Sequence, residues 1–185
     1  MAKFVLFLRG VNVGGVKVLM KDLATLLSEA GYGQVKTVLA SGNVILDAPH
    51  CEALEVRERC EQLLAEHYGR PIPALVFSAA EVHELATGFP LAVPEPAADY
   101  HRYLTLCAGA QDAQELHAAA SQLVDANVVA VRARSLCWIS EKGQSLESPI
   151  SKLVTAQARQ RIITTRNLNT LVKLSTIIRA QELGE

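Results

Sequence analysis

This chain has no C-x-x-C pair, no H-x-x-x-H spacing and no long apolar run. Its four cysteines, Cys51, Cys60, Cys107 and Cys137, lie too far apart for a zinc ribbon or a thioredoxin motif. Free, buried thiols in a reducing compartment are the expectation. The five histidines are scattered, so no metal site is expected. No stretch approaches the roughly 20 apolar residues that span a bilayer. The opening "MAKFVLFLRG" is too short for a signal-peptide core, and no small-residue cleavage site follows it. A cytoplasmic protein without a membrane partner is expected. A formal net charge of −1 gives no global electrostatic reason to bind nucleic acid.

What is present is an ordinary globular composition, 50% apolar and 20% charged over 185 residues. That length allows one large domain or two small packed halves. Charge is uneven. Residues 1–46 carry net +3, residues 47–150 net −8 and residues 151–185 net +4. Between Ser151 and Ala180 there is no carboxylate. Two basic ends flank an acidic middle.

"KFVLFLRG" (Lys3–Gly10) predicts a strand buried on both faces. "LMKDLATLLSEAG" places Leu19, Leu23, Leu26, Leu27 and Ala30 on one stripe before a glycine stop, an amphipathic helix. "QVKTVLA" and "NVILD" read as strands joined by the turn Ser41-Gly42-Asn43. "CEALEVRERCEQLLAEHYG" is a second helix, "PALVFS" a fourth strand and "AAEVHELAT" a short helix. This is the order of a ferredoxin-like split βαβ unit.

"TGFPLAVPEPAADY", with Pro90, Pro94 and Pro96, breaks the pattern. The order then recurs: strand "RYLTLCA", helix "AQELHAAASQLVD", a hairpin of "NVVAVRA" and "SLCWIS" around Arg134, helix "PISKLVTAQA" with Pro149 in its first turn, and a short strand at "RII". "TRNLNTLVKLSTIIRAQEL" adds a further helix. The fold class expected is α+β, with two ferredoxin-like (split βαβ) halves in tandem. Each has an antiparallel sheet with helices on one face, and a C-terminal extra helix follows. The expected division is 1–90 as the first half, 91–99 as a Pro-rich connection and 100–185 as the second half with the extra helix. The first strand is apolar on both faces, so its second face needs a cover. The other half, the extra helix or a partner chain would serve, and packing of the halves together is the expectation.

"RGVNVGG" (Arg9–Gly15) leaves a buried strand toward a helix. Such a glycine-rich connection either directs backbone N–H groups at an anion or supplies positive φ in a tight turn. It is neither a Walker loop nor G-x-G-x-x-G. In a split βαβ unit the end of the first strand shares a sheet edge with the turn between the second and third. Arg9, Asn12, Gly14, Gly15 and Lys17 are therefore expected to face Ser41 and Asn43. A polar ligand site and a structural hydrogen-bond knot both fit that meeting.

In "TTRNLNTLVKL", Thr164 or Thr165 is expected to cap the last helix. Leu168, Leu171, Val172, Ser175 and Ile178 would form its buried side, and Arg166, Asn169 and Lys173 the opposite face. The alternatives are a solvated basic stripe or an anion site at the helix mouth made by Thr165, Arg166, Asn167 and Asn169.

"LRGVNVGGVKVLMKDL" with "ASGNVIL", followed far downstream by "TTRNLNTLVKL", resembles the bacterial family called domain of unknown function 1697. The resemblance spans the chain, with its specific motifs at the two ends. It implies an α+β protein of two ferredoxin-like halves and no established reaction, substrate or cofactor. The family usually has tryptophan after "TTRN", where this chain has Leu168. A ring-stacking role at that place is lost here, whereas a core role is served by leucine. The one tryptophan, Trp138, is expected in the core.

The function drawn from these features is binding of a small anionic ligand, phosphorylated or nucleotide-like. Single-stranded nucleic acid is an alternative, but it asks for exposed aromatics on the central strands, and "NVILDA" has none. An enzyme is a third reading. No Ser-His-Asp spacing or G-x-S-x-G appears, and acid–base work near the motifs would fall to Lys17, Lys173 or a residue that folding brings in. A structural protein that dimerises through a sheet face is the fourth.

Overall fold

The computed structural model describes residues 1–13, 16–49 and 52–184. Among them, β1 (Ala2–Leu8), α1 (Met20–Glu29), β2 (Gly33–Val38), β3 (Asn43–Ala48), α2 (Ala53–Tyr68), β4 (Ala74–Ser78) and α3 (Ala79–Ala86) come first. After them come β5 (Tyr100–Cys107), α4 (Ala110–Ala120), β6 (Val129–Arg132), β7 (Ser135–Glu141), α5 (Pro149–Gln157), β8 (Ile163–Asn167) and α6 (Leu168–Leu183). The protein is α+β, with two four-stranded antiparallel sheets and six α-helices among the described residues. Met1–His83 and Leu174–Glu185 form one compact unit, and Glu84–Lys173 the other.

In the first unit the sheet order is β2-β3-β1-β4. Alternation along β1 sends Phe4, Leu6 and Leu8 into the core that α1 and α2 complete with Leu23, Leu27, Val56, Cys60 and Leu64. Each fully buried leucine there contributes about 1.5–3 kcal/mol. The other side of β1 carries Val5 and Phe7, which pair across the sheet with Ile45, Phe77 and Leu75. All five are buried, and Phe7 meets Phe77 edge to face. The doubly apolar strand is therefore buried on both faces.

Helix ends follow local chemistry. Glu52 and Glu55 form a reciprocal capping box at the start of α2, and Gly69 ends that helix in the left-handed region. Ser78 Oγ accepts from the Glu81 amide while Glu81 accepts from the Ser78 amide, which starts α3 directly from β4. Ser148 caps α5 ahead of Pro149 in the first turn.

In the second unit the order is β6-β7-β5-β8. Its core holds Cys107, Leu116, Trp138, Ile150, Val154 and Ile163, with α4 and α5 closing one face. Tyr103 stacks on Trp138, whose indole donates to Thr105 Oγ1 at 3.1 Å. Trp138 is thus a core residue with its polar edge satisfied. Arg161 ties α4 by ion pairs to Asp112, at 2.6 Å, and to Glu115.

The "TTRN" stretch departs from expectation. It extends the strand at "RII" instead of opening a helix, so neither Thr164 nor Thr165 caps α6. β7 pairs with one edge of β5, Ile163–Asn167 satisfies the other, and β-branched threonines suit a pleated strand. Thr165 lies opposite Thr105, and Arg166 opposite Leu104. The cap passes to Asn167, whose Oδ1 accepts from the Asn169 amide at 2.9 Å. Within α6, Leu168, Leu171, Ser175 and Ile178 are buried as expected, but Val172 is exposed and Leu174 is buried in its place.

Candidate functional site

Three polar constellations stand out, each within one unit. The first is the connection from β1 to α1. Asn12, at φ 58°, lies in the left-handed region that asparagine tolerates better than most side chains. Its Nδ2 donates to the carbonyls of Val18 (2.9 Å) and Ala40 (2.8 Å), and its Oδ1 accepts from the Val18 amide (2.9 Å). Across the turn, Asn43 is fully buried and donates from Nδ2 to the Val38 carbonyl and to Ser41 Oγ. Leu8 donates its amide to the Gly42 carbonyl at 2.8 Å. The loop and the hairpin turn therefore meet. Asn12 holds that meeting together through Ala40, while Asn43 and Ser41 brace the turn itself. Lys17 is exposed and Arg9 is half-buried. Gly14 and Gly15 lie outside the described residues, as does Cys51.

The second is Arg166. It is buried, on the sheet face opposite α4 and α5 with Leu104, Leu106 and Thr164. Its guanidinium donates to Thr164 Oγ1 at 2.7 Å and to the Thr165 carbonyl at 2.9 Å. Burial lowers its pKa to about 10, because the charged form has lost water. Thr165 points to the other face and shares a hydrogen bond with Thr105 Oγ1 at 2.9 Å. Asn167 approaches His101 Nδ1 at 3.4 Å and caps α6 beside Asn169. Arg166, Asn169 and Lys173 do not share a helix face, because Arg166 belongs to β8.

The third was not anticipated from sequence. A cavity of about 270 Å³ is lined by Ala79, Ala80 and His83 of α3 and by Ser175, Ile178, Arg179 and Glu182 of α6. His83 Nδ1 lies 2.8 Å from Ser175 Oγ, and Arg179 Nη2 contacts His83 Nε2. Ser175, Arg179 and Glu182 at i, i+4 and i+7 are a helix-face signal that could have been noticed. Their partner His83, 92 residues away from Ser175, carried no local signal.

Cys60, Cys107 and Cys137 are free and buried, with thiols pushed up to about 11, 12 and 11 by desolvation. They are inert as nucleophiles near neutral pH. Among the described residues, no group of three histidine, cysteine, aspartate or glutamate side chains could hold a metal, and no helix is long and apolar enough to cross a membrane.

The family described as "Protein of unknown function (DUF1697)" matches residues 1–136, the stretch that holds the first constellation. Among solved structures, a conserved bacterial protein from Streptococcus pneumoniae is similar, with a TM-score of 0.76 and 23% identity. The similarity covers 97% of this chain and 99% of that one. At that identity the likeness speaks for the fold alone. Comparison with curated proteins gives no match.

Proposed function

We propose a function for a chain that belongs to the family described as protein of unknown function (DUF1697): it is a binding module for a small anionic ligand, phosphorylated or nucleotide-like. The observation that supports this most is the buried guanidinium of Arg166. A guanidinium in low-dielectric surroundings attracts a carboxylate or phosphate more strongly than one in water does. Thr164 Oγ1 already orients the guanidinium. α6 begins two residues later, and its N-terminal amides add partial positive charge. In this reading Arg166 takes the anion, while Thr165 on the other face of β8 and Asn167, which caps α6 through the Asn169 amide, hold the strand and helix that present it. In the first unit, Arg9 and Lys17 supply charge near a corner that Asn12, Ser41 and Asn43 brace.

The finer fold assignment belongs to the same proposal. Each unit is taken as a ferredoxin-like split βαβ, a reading supported by the strand orders β2-β3-β1-β4 and β6-β7-β5-β8. Burial of Trp138, with Tyr103 stacked against it, favours a small ligand over single-stranded nucleic acid, which needs open aromatic faces.

The experiment is a thermal-shift screen with inorganic phosphate, nucleotides and sugar phosphates. A ligand at a hundredfold excess over its Kd stabilises by about 2.7 kcal/mol. Arg166→Lys keeps charge but loses the planar fork, and is expected to weaken binding about tenfold or more. No shift across the panel, or equal shifts for wild type, Arg9→Ala and Arg166→Lys, rejects the proposal.

A further inference from the structure

The cavity beside His83 has a definable hydrogen-bond polarity. A guanidinium only donates, so the contact from Arg179 Nη2 makes His83 Nε2 an acceptor. With Nε2 accepting, Nδ1 is the ring nitrogen left to donate to Ser175 Oγ, 2.8 Å away. Ser175 is consequently not activated by His83 as a nucleophile, because the facing nitrogen already holds a proton. Its own hydroxyl proton is left to donate elsewhere.

The charges of the cavity are those of Arg179 and Glu182, one helical turn apart on α6. Both side chains are exposed at the cavity, and Glu182 has no ion pair or hydrogen bond among the described residues. Ala79, Ala80 and Ile178 form the apolar wall. Pockets for drug-sized ligands run from about 300 to 1,000 Å³. A volume of about 270 Å³ suits something smaller than a nucleotide.

We propose that this cavity binds a small zwitterion of the α-amino acid class. The ligand carboxylate sits on the Arg179 guanidinium and the Ser175 hydroxyl, the ammonium on Glu182, and an aliphatic side chain against Ala79, Ala80 and Ile178. One positive and one negative group on the wall match a ligand with both signs. A phosphate would gain from Arg179 and be repelled by Glu182. The site is independent of Arg166, so either assignment can fail alone.

The test is calorimetric titration and thermal shift of the full chain with each standard L-amino acid. N-acetyl and carboxamide derivatives and inorganic phosphate serve as controls. A free aliphatic amino acid is expected to raise the melting temperature by about 5 °C at a hundredfold excess over its Kd. Blocking either end, or introducing Arg179→Gln or Glu182→Gln, is expected to weaken binding at least about tenfold. Both variants alter exposed side chains and should fold. Arg166→Lys is expected to leave this affinity unchanged. The proposal is overturned if no standard amino acid binds, if phosphate or the blocked derivatives bind equally well, or if Glu182→Gln binds like wild type.

Discussion

Asn12 donates from Nδ2 to the carbonyl of Ala40 at 2.8 Å, bridging 28 residues of chain. One side chain thereby joins the connection after β1 to the turn between β2 and β3. Its remaining hydrogen bonds, both to Val18, close the loop on itself.

Asn12→Ala removes three hydrogen bonds and puts alanine at a φ of 58°. The expected cost is about 2–3 kcal/mol, read as a lower urea midpoint with unchanged slope. Asn12→Gly keeps the backbone freedom and should cost less than a simple count of bonds would suggest.

Gly42 is the second fixed point of this corner. A Cβ there would lie 2.7 Å from Val11 Cγ2 and 2.8 Å from Leu8 Cβ, at a φ of +76°. Both neighbours are buried. Gly42→Ala is expected to destabilise by about 2–4 kcal/mol through strain and overpacking, measured by thermal melting.

The buried thiols give a chemical test of the core. With Cys107 pushed up to about 12, roughly one molecule in ten thousand carries the thiolate at pH 8. Peptide-resolved alkylation should leave Cys60, Cys107 and Cys137 unmodified in the native protein and label all three in denaturant. Rapid native labelling of Cys107 would contradict the packing around β5 and α4.

The Arg161 ion pairs make stability depend on pH. The Gln111 hydrogen bond and Arg161 hold Glu115 below the usual carboxylate range. A depressed folded-state pKa means the stabilisation is present above the ordinary carboxylate pKa and is lost as pH falls through the folded value. The stability gap between wild type and Arg161→Gln should be widest near neutral pH and close on acidification. Added salt should also narrow it, because these side chains are partly exposed. A gap independent of both pH and salt would remove the ion pairs as its cause.

The sequence by itself determined most of the elements, Thr164–Asn167 excepted. Period-2 alternation, glycine stops and Pro149 in a first helical turn are local signals, and local signals survive without tertiary context. The doubly apolar β1 and the core place of Trp138 were legible for the same reason: a large apolar side chain has one cheap location. The meeting of Asn12 with the Ser41–Asn43 turn was legible too, because the strand order constrains which loops share an edge.

What only the tertiary structure decided was partnership. Thr164–Asn167 carries helix-cap residues followed by an apolar stripe, yet it pairs along β5 as a strand. That choice turns Arg166 from one face of a helix into a buried group on a sheet and hands the cap to Asn167. His83 and Ser175 are the plainest case. Each is unremarkable on its own helix, and they become a hydrogen-bonded pair because packing closes 92 residues of chain to 2.8 Å.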